Sequence, residues 1–169
     1  AVTFDMGNTF TEAQSKFFFT MAYPDNWDYT LNEDDTGMSV SFTSLNENET
    51  FATIMAVLND SPPELTEADL LEIANQYAAL MIENISEDMQ QIEDTAISDG
   101  SLSDGSPYKE YVYIINDNSS AQKGEFGIVI DLIPKFGKMY LWIGFAPEIF
   151  YDQLQAAFME GLESLVLEK

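Results

Sequence analysis

Residues 138–145 read Lys-Met-Tyr-Leu-Trp-Ile-Gly-Phe, and no other run of the chain constrains the fold as strongly. In an extended backbone successive side chains point to opposite faces, so Tyr140 and Trp142 share one face while Leu141, Ile143 and Phe145 share the other. Both faces are apolar. Such a strand needs cover on both sides, which excludes a two-layer sheet with one face in water.

Two helical patterns are available to supply that cover. Leu71, Ala74, Ala78, Met81 and Ile85 recur at three- and four-residue steps and so line one side of a helix. Thr66 followed by Asp69 resembles a capping box, and the prolines at 62 and 63 forbid an earlier start. Nearer the end, Phe150, Leu154, Ala157, Phe158, Gly161 and Leu165 form a second stripe, with Pro147 expected in the first turn.

The remaining segments read as strands. Met38, Val40 and Phe42 alternate with Ser39, Ser41 and Thr43. Residues 28–31, 51–58 and 90–97 add further strands, and 108–115, 126–133 and 138–145 follow one another through short connections, which makes them antiparallel neighbours. The expected architecture is α+β: a three-layer α/β/α sandwich with a mostly antiparallel sheet of about seven or eight strands and one long helix on each face.

Residues 1–16 are polar and read as an N-terminal tether, with a single domain from 17 to 169. A chain that begins at Ala1 rather than Met is expected to have lost an upstream signal or lipid anchor. No apolar run approaches the roughly 20 residues of a membrane-spanning helix.

Composition removes whole classes of chemistry. The chain has no His and no Cys, so histidine-based triads, histidine metal sites, thiolate nucleophiles and disulfides are impossible. Thirty Asp and Glu stand against six basic residues, all lysine, for a net charge of −24. That balance argues against nucleic acid and anionic membranes, whose binding relies on clustered cations. It suits an exported domain kept soluble by its charge, or an acidic face that docks on a basic partner.

A few local patterns resemble the PsbP-like superfamily, named for the extrinsic oxygen-evolving subunit of photosystem II. Phe19, Tyr23, Pro24, Asp25, Asn26 and Trp27 are similar to the family's opening strand, proline and tryptophan. Tyr111 and Tyr113 follow, and then Ala146, Pro147, Tyr151, Phe158, Ser164 and Leu165 resemble its closing helix. The resemblance spans residues 17–167 and implies a fold without a shared activity. Relatives include a Ran-binding nuclear import factor, chaperones of secretion effectors and many bacterial lipoproteins. No photosystem-contact residue can be matched, and the lipoprotein branch fits the polar opening stretch better.

Candidate functional residues are few. Glu67, Glu72 and Glu83, with Gln76, fall on the outer side of the first helix and are the expected partner-binding residues. Calcium is the cofactor that an acidic, oxygen-rich chain would hold, and Asp99 and Asp104 are its candidate ligands, although the spacing does not match an EF-hand. Asp131 is an acid in an otherwise apolar strand and is expected to pair with a lysine or face solvent near a strand end. Trp27 and Trp142 are expected to be core residues. The expected function is a non-enzymatic, extracytoplasmic bacterial domain, without a cofactor, that binds a protein or cell-envelope component through an acidic surface. A small-molecule or lipophile carrier with a pocket between sheet and helix is the alternative. A carboxylate hydrolase is the remote one, since two acids of split pKa suffice for glycosidic chemistry.

Overall fold

The computed structural model describes residues 8–12, 18–23, 27–33, 37–44, 53–60, 65–85, 89–117, 124–135, 138–147 and 151–168. In chain order the elements are β1 (Asn8–Glu12), β2 (Phe18–Tyr23), β3 (Trp27–Glu33), β4 (Gly37–Ser44), β5 (Thr53–Asp60), α1 (Glu67–Ile85), β6 (Met89–Ser101), β7 (Pro107–Asp117), β8 (Gly124–Lys135), β9 (Lys138–Pro147), α2 (Tyr151–Ser164) and β10 (Val166–Glu168). A seven-stranded sheet runs β3-β4-β5-β9-β8-β7-β6, and a three-stranded one runs β1-β2-β10. Every pairing is antiparallel. Two meanders, β3-β4-β5 and β6-β7-β8-β9, join where β5 meets β9, and α1 carries the chain from one to the other. Strand β9 is thus the middle strand of seven, as its two apolar faces require.

Each helix takes one face of β9. On one side Ala74, Ala78 and Met81 of α1 pack in a cluster with Tyr111, Tyr113, Ile128, Ile130, Leu141 and Ile143, all buried. The small side chains at 74 and 78 bring the helix close to the sheet. On the other side Phe158 of α2 stacks on Trp142, with ring centroids 5.7 Å apart, and Trp142 Nε1 donates to the Phe158 carbonyl at 3.0 Å. Burying side chains of this size contributes about 1.5–3 kcal/mol each. Ser164, the last residue of α2, accepts from the Ala22 N–H at 2.8 Å and donates to the Gly161 carbonyl at 2.7 Å. The hydroxyl thereby ties α2 to β2 and the small sheet.

The capping box at the start of α1 forms as read. The Thr66 N–H donates to Asp69 Oδ2 at 2.9 Å, and the Asp69 N–H donates to Thr66 Oγ1 at 3.2 Å. Trp27 and Trp142 are buried core residues, as expected. Of the α2 stripe, Phe158, Gly161 and Leu165 are buried, while Phe150 lies outside the described residues.

Four expectations need correction. Part of the stretch read as a tether, Asn8–Glu12, is a strand paired in register with β2, from Asn8 opposite Tyr23 to Glu12 opposite Phe19. Main-chain pairing is enough to hold a short polar strand at a sheet edge, so its composition gave no warning. Pro147 is not in a helical turn: it ends β9 opposite Phe126, where a residue without an N–H is tolerated. Beyond α2 the chain turns into β10 against β2, which no periodicity announces in three residues. Finally, Asp131 neither pairs with a lysine nor reaches solvent; it is completely buried, with no partner for either carboxylate oxygen among the described residues.

Candidate functional site

The unusual chemistry gathers on the face of the large sheet that α2 covers. In β7 the even-numbered residues point to that face, because Tyr113 points the other way and donates its hydroxyl to Asn75 of α1 at 2.8 Å. Tyr108, Glu110, Val112 and Ile114 therefore share the α2 side. In β8, register puts Asp131 opposite Glu110, Val129 opposite Val112 and Gly127 opposite Ile114. Next to Asp131, on β9, stands Trp142.

A trough of about 240 Å³ lies between these strands and the helix. Strand β7 lines it with Glu110, Val112 and Ile114, β8 with Gly127 and Val129, and α2 with Gln155, Phe158 and Met159. Gly127 has no side chain, which leaves room between its neighbours. Gln155 and Met159 are exposed, so the trough opens to solvent along α2. Its lining is apolar except for Glu110 and Gln155.

Electrostatics at the end of the trough are lopsided. Desolvation first, and then the neighbouring Glu110, push the Asp131 carboxyl up to about 9. It is therefore a neutral acid at pH 7. Burial also raises the Glu110 carboxyl. Tyr108 is raised by burial and then by Asp131, Glu110 and Glu163. No described lysine is paired with Glu110 or Asp131. Tyr140 shares the face with Asp131 on the next strand, and its hydroxyl also lacks a partner among the described residues.

The sequence-derived candidates lie elsewhere. Glu67 and Glu72 are exposed on α1, and Glu83 belongs to α1 but its side chain is outside the described residues. Glu67 and Asp99 meet on Lys109, whose Nζ lies 3.2 Å from Glu67 Oε1 and 3.5 Å from Asp99 Oδ1. Asp104 serves the β6–β7 hairpin. Its Oδ1 accepts from the Ser106 N–H at 2.8 Å and its Oδ2 from Lys135 Nζ at 2.6 Å. The Lys135 and Ser106 hydrogen bonds hold the Asp104 carboxyl down at about 2. The structure thus places a lysine ammonium at each of the two calcium candidates and directs them to different lysines. Among the described residues no three acidic side chains converge on one point. No described helix is long and apolar enough to cross a membrane.

Sequence reasoning offered a pocket between sheet and helix only as the alternative, and it missed Glu110 and the residues that line the trough. The signal was present in the alternation Tyr108, Glu110, Val112, Ile114, which mixes a carboxylate into an apolar face. Only the β7–β8 register, however, shows that Glu110 meets Asp131.

No protein-family model and no curated protein sequence matches the chain. Solved structures do. The solution structure of cyanobacterial PsbP (CyanoP) from Synechocystis sp. PCC 6803 matches with a TM-score of 0.66 at 15% identity, covering 95% of this chain and 92% of that one. The chain has a PsbP-like fold. The same PsbP-like architecture relates it to LpqN, which is involved in cell envelope biogenesis of Mycobacterium tuberculosis, with a TM-score of 0.54 at 15% identity over 96% of this chain and 91% of the other. At that identity the likeness is one of fold, and a PsbP-like fold carries no activity by itself.

Proposed function

We propose that this domain is a non-enzymatic, extracytoplasmic binding or accessory module that engages another protein or a cell-envelope component through an anionic surface. The observation that carries the reading is the fate of its cations. Lys109 and Lys135 are the lysines whose side chains are described, and both are held by the chain's own acids. None of them is left to offset exposed carboxylates such as Glu72. With a net charge of −24, that surface attracts a basic partner and repels acidic ones.

Two further points support the reading. The likeness in fold to LpqN, a protein involved in cell envelope biogenesis, favours a place outside the cytoplasm. Glu110 and Asp131 face each other, but only Glu110 lines the trough, and a carboxyl sealed from solvent cannot flank a scissile bond with it. The test is capture from the envelope fraction of the native host, with washes of rising salt. A specific partner that is released as salt rises supports the proposal; retention indifferent to salt overturns its electrostatic part.

The apolar lining of the trough favours one second reading, a small-molecule carrier. Its volume of about 240 Å³ is below the roughly 300–1,000 Å³ of most ligand pockets, which limits the cargo to a small molecule. Native mass spectrometry of protein from its own host distinguishes the two, since a carrier retains an added mass.

A further inference from the structure

We propose that the trough between β7, β8 and α2 receives a segment of a basic partner protein, with a Lys or Arg of that segment on Glu110 and its apolar side chains on Val112, Val129 and Met159. The inference rests on the reading of the domain as a binding module, but it assigns a surface on the opposite side of the sheet from Glu67 and Glu72.

Three observations converge. The trough is apolar along its length and carries one carboxylate, that of Glu110, which stands opposite Asp131 on the next strand. Apolar surface beside a single half-buried acid complements a side chain that is itself amphipathic, an aliphatic stem ending in a cation. Second, Asp131 is completely buried and neither of its oxygens has a partner among the described residues, although buried polar groups are as a rule hydrogen-bonded. It points to the same face as Glu110. With Asp131 sealed beside it, Glu110 is the carboxylate that the trough presents, and no described lysine of the chain is paired with either acid.

Third, size and shape favour side chains over an enclosed ligand. The trough is small, and it opens past the exposed Gln155 and Met159. A partner segment laid along α2 closes that opening with its own backbone. Burial raises the Glu110 carboxyl, and a cation placed beside it favours the charged form. The chain's own described lysines do not compete, since they are engaged by Glu67, Asp99 and Asp104.

The experiment is an amide NMR titration of the whole chain at physiological ionic strength with three short peptides: alternating Leu and Lys, alternating Leu and Glu, and alternating Ser and Lys. The expected result is saturable binding of the Leu–Lys peptide alone, with shifts centred on Val112, Gly127, Val129 and Gln155. Glu110→Gln and the exposed-site variant Met159→Lys should each weaken it by about tenfold or more, and Asp28→Asn, at an exposed position of β3, should leave it unchanged. Equal binding of the Ser–Lys peptide, or shifts centred on α1, would reduce the effect to general charge attraction and overturn the proposal. So would an absence of binding. Tighter binding of octylammonium at the same amides would replace the protein segment by a small amine. Failure here with a salt-sensitive partner still captured leaves the binding-module reading standing and removes only this surface.

Discussion

Glu110 and Asp131 stand directly opposite each other on β7 and β8, on the face of the sheet that α2 covers. Like-charged residues so placed repel, and with Asp131 sealed from water the repulsion is relieved by keeping Asp131 protonated. Burial is the larger cause and Glu110 the smaller. The pair thus converts a cross-strand conflict into one neutral and one half-buried acid.

Stability should therefore depend on pH through Asp131. An unfolded Asp titrates near 3.9, whereas the folded carboxyl is pushed up to about 9. Between those values the folded state binds the extra proton, so its contribution is full below pH 4 and is lost as pH rises through 9. The limiting slope is about 1.4 kcal/mol per pH unit. Asp131→Asn removes this dependence, so urea denaturation at pH 8 should show the variant more stable than the parent. Parallel curves for the two from pH 5 to 9 would sink the assignment.

Gly161→Ala should destabilise the protein although alanine is the better helix former. A Cβ at 161 would lie 2.8 Å from Trp142 Cζ2, and that ring cannot swing away because it stacks on Phe158 and donates to its carbonyl. Overpacking of this kind costs about 1–3 kcal/mol against a helix-propensity gain of up to about 1 kcal/mol. A raised thermal midpoint would show that α2 sits farther from β9 than described.

Thr66→Ala removes the hydroxyl that accepts from the Asp69 N–H. The expected cost is about 1 kcal/mol, read by chemical denaturation. Hydrogen exchange should speed up in the first turn of α1 and nowhere in α2.

Lys135→Met tests the hairpin. Lys135 is the first cause of the lowered Asp104 carboxyl, so its removal should bring the carbon-detected NMR titration of Asp104 up from about 2 toward the ordinary range. In the parent, this group stabilises the fold above the unfolded pKa, and that contribution fades as pH falls through 2. An unmoved titration would mean that the Ser106 contacts alone hold the carboxyl.

Much of this was legible in residue order. Periodicity located α1, the alternation at 38–43 located β4, and the doubly apolar run at 138–145 required cover on both faces, because local pattern reports burial directly. Strands β1 and β10 were not legible, since segments of five and three residues are too short to show a period, and it is their pairing with β2 that defines them. The trough was hidden for a related reason. Glu110 and Asp131 are 21 positions apart in sequence, and only register, set by how the β7–β8 connection closes, makes them neighbours. Likewise the acids at 99 and 104 look like cation ligands until Lys109 and Lys135 are seen beside them.

The most direct measurement of the central claim is the affinity of the captured partner across a series of ionic strengths, by calorimetry on the purified pair. Binding through an anionic surface should weaken steadily as salt shortens the screening length from about 10 Å at 0.1 M toward about 3 Å at 1 M. Affinity that stays constant over that range would contradict it.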